Sequence, residues 1–152
     1  NPVMLANIAD TVDEISGGRV ILGLGAGWVE SEFRALGIPF GQRIARFEEA
    51  IQIITGLLRE REVDFQGTWY AAQDSKLRPA GPRPQGPPIM VGTAVHGPRM
   101  VRLAARYADI WNIGFRTRPG TLQLCPDTVR PCIVDLQGRL CTATSLCGRS
   151  TW

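Results

Sequence analysis

One histidine serves the whole chain, and the first 115 residues contain no cysteine. Those two shortages remove Cys/His and Ser/His/Asp acyl-transfer sets from that stretch, along with the His/Cys clusters that hold zinc. The four cysteines, Cys125, Cys132, Cys141 and Cys147, all lie further on. Their spacing resembles neither a zinc ribbon nor a redox CxxC pair, so no metal site is expected. Long apolar runs are also missing: none approaches the roughly 18–20 residues of a membrane helix. No basic leader precedes an apolar core at the start. The expectation is a cytoplasmic protein without a membrane partner. Residues 1–115 have no excess of either charge, with 12 basic and 12 acidic side chains. A neutral body argues against nucleic acid, which requires a basic footprint. The net +3 comes from residues 116–152, where five Arg face only Asp127 and Asp135. An initiator methionine is lacking too; the chain opens on Asn1-Pro2, which suggests a piece of a longer protein.

What is present is a βα rhythm. Asn1 and Pro2 suit a helix start, and Leu5, Ile8, Ala9, Val12 and Ile15 repeat at helical spacing as its expected buried face. Ser16-Gly17-Gly18 stops it. The run Val20–Gly25 lacks polar alternation, as a parallel strand covered on both faces does. A long loop to Arg43 follows, with a short helical turn expected around Glu30–Leu36. A loop of that length after a strand is more often functional than not. Ile44, Phe47, Ile51, Ile54, Leu57 and Leu58 form the clearest stripe in the chain, with Glu48 and Glu49 read as part of a solvated face. Val63-Asp64-Phe65 and Thr68-Trp69-Tyr70 flank Gln66-Gly67 as an expected hairpin. Five prolines between Pro79 and Pro88 make an extended connector. Ile89–Gly92 is a further strand, Pro98 starts a helix with Met100, Val101, Leu103, Ala104 and Tyr107 inward, and Asp109–Ile113 is a last strand. The order predicts an α/β fold with a parallel sheet and right-handed crossovers. Beyond Phe115 periodicity ends, so residues 1–115 are read as one unit and 116–152 as an irregular, unrelated tail.

In such folds chemistry gathers at the C-terminal ends of strands, and two of those ends are rich in glycine. Gly23-Leu24-Gly25-Ala26-Gly27-Trp28 invites a dinucleotide reading, but GxGxxG would need glycine where Trp28 stands, and no helix opens directly after it. What remains is backbone stripped of side chains, open to a flat ligand or simply tightly packed. Val91-Gly92-Thr93-Ala94-Val95-His96-Gly97-Pro98 leads small residues into a helix start, which can bind phosphate through free amides or be an ordinary βα loop. Arg99 could add charge there or be solvated. His96 has no visible partner, and Trp28, Trp69 and Trp111 could line an aromatic pocket or belong to the core.

Taken in order, several short motifs resemble the bacterial luciferase-like family of flavin- and deazaflavin-dependent oxidoreductases. They are Asn1-Pro2 with Leu5-Ala6; Asp13–Arg19; Leu22–Trp28 followed by Glu32-Phe33; Gly37–Phe40; Arg43; Glu48-Glu49; Phe65–Gly67; Pro87–Ile89; Val91-Gly92; and Ala104–Asp109. The resemblance implies a partial (β/α)8 TIM barrel, its central βα units running from about the third helix to the sixth strand. It further implies a cofactor held at the C-terminal mouth by Gly25, Gly27 and Trp28 beside the ring system. Backbone amides of Gly92, Thr93, Ala94, Gly97 and Pro98's loop would hold the phosphate. Coenzyme F420, passing hydride, is the favoured cofactor; FMN with molecular oxygen is the other. A small-molecule substrate is implied and a homodimer permitted, while no catalytic acid or base carries over. On its own such a piece is expected to be inactive, its open sheet edges also allowing a non-catalytic interaction module.

Overall fold

The computed structural model describes residues 1–78, 81–93 and 97–113. They form α1 (Pro2–Ser16), β1 (Leu22–Leu24), α2 (Glu30–Ala35), α3 (Arg43–Glu60), β2 (Glu62–Gln66), β3 (Ala71–Lys76), β4 (Ile89–Thr93), α4 (Pro98–Tyr107) and β5 (Ile110–Ile113). Strands β1, β4 and β5 make a parallel sheet in the order β1-β4-β5, with Leu24 opposite Val91 and Gly92 opposite Asn112. This is the expected alternation. The predicted tail and its cysteines lie outside the described residues.

The two faces of the sheet differ sharply. Leu22, Leu24, Ile89, Val91 and Trp111 point toward the helices and join Phe47, Ile51, Ile54, Leu57, Leu58, Met100, Leu103 and Ala104 in one core. Ile51, Leu57, Leu58, Ile89 and Val91 are completely removed from solvent. Each such side chain contributes roughly 1.5–3 kcal/mol by leaving water. Since side chains alternate across a strand, Gly23, Gly25, Met90, Gly92, Ile110 and Asn112 share the opposite face. The glycines there are exposed.

Helix α1 corrects the sequence reading. Pro2, Ala6, Ala9, Asp10 and Asp13 are its buried residues, whereas Leu5, Ile8, Val12 and Ile15 are exposed, Ile15 by 81%. Small residues on the buried side let α1 lie close to α3, and its two aspartates find arginines there. Asp13 receives Arg83 bidentately at 2.9 and 2.5 Å and the Val20 amide at 3.1 Å. Asp10 receives Arg61 at 3.0 Å and the Gly81 amide at 3.1 Å. Arg59 donates to Asp109 at 2.5 Å and to the carbonyls of Gln85 and Pro87, while Asp109 also accepts from the Ile89 amide at 2.7 Å. The proline-rich connector is thereby strapped across the N-terminal ends of β1, β4 and β5. The two buried carboxylates, Asp10 and Asp13, are satisfied by these donors.

The hairpin also departs from expectation. Strand β3 starts at Ala71, so Thr68-Trp69-Tyr70 is the turn and not a strand. The cause is Glu49, whose carboxylate accepts from the amides of Thr68, Trp69 and Tyr70 at 2.9, 2.8 and 3.0 Å, taking them from any ladder. Glu49 is therefore a clamp and not merely part of a solvated face. Partial burial pushes its carboxyl up, but the three amide bonds outweigh that and hold it below the ordinary glutamate value.

Candidate cofactor site at the open end of the sheet

At the C-terminal end the strapping stops. Strand β1 runs out into Gly25-Ala26-Gly27-Trp28, and β4 into Gly92-Thr93. Gly25 and Gly92 face each other across the sheet: a side-chain carbon at either would sit 3.7 Å from the other strand's carbonyl oxygen. That is ordinary contact, so packing between the strands does not force glycine at either position. What the two glycines do is leave the open face bare.

Gly27 has a stricter reason to be glycine. Its φ is +75°, and a side chain there would lie 2.6 Å from the Phe33 ring. Phe33 packs edge-on against Phe40 with centroids 5.2 Å apart, and Arg43 lies 4.0 Å from the Phe40 ring centre while donating to the Gly27 carbonyl at 3.1 Å. Arg46 donates to the Pro39 carbonyl and lies over Trp69. The first turns of α3 thus fix the long loop that follows β1. Trp28, 67% exposed, projects from that fixed loop.

The second glycine-bearing end leads to α4. Its N-cap is Gly97, in extended conformation, with Pro98 in the first turn and no capping side chain. The helix amides of Arg99 and Met100 would have to be met from within a cap that glycine cannot supply. No acidic residue occupies this first turn. Helix α2, which follows the other glycine-rich end, begins with Glu30 and Glu32. Those carboxylates oppose an anion, and the helix starts three residues after Gly27, so the dinucleotide alternative fails on geometry as well as on its motif.

The expected site residues divide. Gly25, Gly27, Trp28, Gly92, Gly97 and Pro98 lie at the same end of the sheet. Thr93 belongs to that end by its backbone, but its side chain is buried on the helix side, where its hydroxyl accepts the Trp111 indole N–H at 3.0 Å. Ala94 and His96 lie outside the described residues. The three tryptophans do not form one pocket: Trp111 faces the helices, Trp69 sits on the hairpin turn, and Trp28 is on the loop. Arg99 pairs with Glu48 at 2.5 and 2.9 Å. Sequence reasoning missed Arg43 as a fastener and Asn112 as a polar group on the open face. A lone carboxamide in an apolar strand was the available signal for the latter. Among the described residues, no group of three or more His, Cys, Asp or Glu could hold a metal ion, and no helix is long and apolar enough to cross a membrane.

The family model described as luciferase-like monooxygenase matches residues 1–130. The chain belongs to this family. The match extends past residue 115, where periodicity ends. Among relatives, 5,10-methylenetetrahydromethanopterin reductase of Archaeoglobus fulgidus is 36% identical over 109 residues, covering 72% of this chain and 31% of that protein. F420-dependent glucose-6-phosphate dehydrogenase of Amycolatopsis mediterranei is 33% identical over 139 residues, covering 89% and 39%. The solved structure of monooxygenase RslO1 from Streptomyces bottropensis superposes with a TM-score of 0.63 at 29% identity, over 70% of this chain and 32% of that one. The chain therefore spans about a third of the length of these relatives, and its parallel βα units share the TIM-barrel fold of the luciferase-like family.

Proposed function

We propose that these residues form the cofactor-holding portion of an oxidoreductase that exchanges hydride through coenzyme F420. The observation that carries this reading is the uncapped start of α4, placed beside the bare Gly25 and Gly92 backbone at the C-terminal end of a parallel sheet. The amides of Arg99 and Met100, with the helix dipole behind them, would hold the cofactor's phosphate without a basic side chain. Gly25 and Gly92 would let a flat ring system approach the strands, and Arg43 would keep Gly27 and Trp28 at its border. The cofactor supplies the redox chemistry when bound; the chain orients it and shapes the space around it. Reduced FMN with molecular oxygen is the second reading, favoured by the likeness to a monooxygenase structure. The substrate is a small molecule in either case.

The test is a titration of the full chain with F420 and, separately, FMN, following intrinsic and cofactor fluorescence. Saturable binding of F420 in preference to FMN is the expected result. Preference for FMN would transfer the assignment to the oxygen-using reading. Binding of neither, with the chain folded by circular dichroism, would overturn both.

A further inference from the structure

Of the six residues on the open sheet face, Gly23, Gly25, Met90, Gly92 and Ile110 offer backbone or apolar surface, and Asn112 alone carries a polar side chain. Its place there follows from the register, which sets Asn112 opposite Gly92. It also follows from its contact with Met90, two residues earlier on the neighbouring strand. That contact is a poor one for a carboxamide: Nδ2 lies 3.8 Å from the Met90 sulfur, a weak acceptor. Among the described residues, the side-chain oxygen accepts no hydrogen bond. Asparagine is disfavoured in strands, and since no buried side-chain polar atom among the described residues lacks a partner, this half-buried carboxamide keeps its free hydrogen-bonding capacity open to solvent or to a ligand. Thr93 and Trp111, which flank these positions on the same strands, satisfy each other on the helix side. Among the described residues, Asn112 has no such neighbour.

We infer that Asn112 is a ligand-binding residue that hydrogen-bonds the cyclic imide edge of the ring system lying on the Gly25–Gly92 floor. A carboxamide presents one acceptor and a donor side by side. A cyclic imide presents the complementary pair, an N–H next to a C=O. Flavins and deazaflavins share that edge, so the inference holds for either cofactor, and it rests on the cofactor reading given above. The apolar neighbours Met90 and Ile110 leave the imide no competing side chain on this face, and the bare glycines give the ring room to lie flat beside the amide. Asn112 would thus fix which way the ring points, a positioning role distinct from the phosphate grip at α4.

The test combines a variant with an altered ligand. Full-length wild type, Asn112→Leu and Asn112→Asp are titrated with F420, with FMN, and with N3-methylated FMN, whose imide N–H is blocked. Thermal melts check that each variant folds, and the methylated ligand probes the contact on the unaltered chain should a variant fail to fold. About tenfold weaker binding is expected both for Asn112→Leu with the ordinary cofactor and for wild type with the methylated one, the usual cost of leaving one partner unmet. Methylation should then cost Asn112→Leu little more. Equal affinity of wild type for methylated and unmethylated FMN, or cofactor binding unchanged in Asn112→Leu, would overturn the assignment while leaving the phosphate site standing. Failure of wild type to bind any of the three ligands would remove both.

Discussion

The two ends of the parallel sheet are built on opposite terms. At the N-terminal end Asp13, Asp10 and Asp109 collect Arg83, Arg61 and Arg59. At the C-terminal end β1 and β4 run out through Gly25 and Gly92, and the helix after β4 begins without a side-chain cap. The contrast is clearest in two helix starts with nearly the same sequence plan. Helix α1 opens Asn1-Pro2-Val3-Met4, and the Asn1 side chain accepts from the amides of Val3 and Met4 at 2.9 and 3.3 Å. Helix α4 opens Gly97-Pro98-Arg99-Met100, and glycine has nothing to offer the equivalent amides. Helix α1 closes its own N-terminus with a side chain, whereas α4, like α2 and α3, has no side-chain cap. In barrels of this kind the first end holds the fold together and the second does the chemistry.

The largest effect is expected at the strapped end. Asp13→Ala should cost about 3 kcal/mol, the lower part of the range for breaking a buried ion pair, because Arg83 keeps some solvent contact. Urea denaturation would show it as a lower midpoint with an unchanged slope. Cofactor affinity of the folded protein should not move. A large change in affinity at unchanged stability would mean that the two ends are not separate in function.

At the open end the prediction has the reverse form. Gly97 has φ −73° and ψ 118°, a conformation open to any residue, so Gly97→Asn can give α4 the cap that α1 already has. Stability should be unchanged or rise by a few tenths of a kcal/mol, about the difference between glycine and asparagine as caps. Affinity for the cofactor should fall at least about tenfold, because the new side chain occupies the amides that a charged phosphate would use. Calorimetry for binding and a thermal melt for stability separate the two effects.

The smallest effect concerns Glu49, which ties the hairpin turn to α3. Its folded value lies below the ordinary glutamate one, so its contribution is complete above about pH 4.3 and is lost as pH falls through the lowered folded value. On a half-buried surface group the amount is less than about 1 kcal/mol. Comparing unfolding between pH 6 and pH 3 should show an acid-sensitive component in wild type that Glu49→Gln lacks. Equal pH dependence in both would place the clamp outside the stability of the fold.

How much of this was legible in the sequence depends on how local the signal was. The α3 stripe and the short apolar strands announce themselves through periodicity, and Asn1, Gly17 and Pro98 mark helix ends by local chemistry alone. Helix α1 misled because its largest apolar residues, Ile8, Val12 and Ile15, do not face this core; the buried side is chosen by Arg61 and Arg83, which are distant in sequence. The hairpin turn shifted for the same reason, being set by Glu49 some twenty residues earlier. At the candidate site the glycines were visible because their type is informative wherever they stand. Asn112 and Arg43 were not, since their meaning depends on register and on which carbonyl the loop brings near.

We propose that backbone amides at the start of α4 bind an anionic cofactor. Amide-resolved nuclear magnetic resonance of the full chain, titrated with F420 and with inorganic phosphate, tests it directly. The Arg99 and Met100 amide signals should move to lower field with both ligands, and the Val3 and Met4 amides, already capped, should stay still. Unmoved Arg99 and Met100 signals at saturating cofactor, or equal shifts at both helix starts, would contradict it.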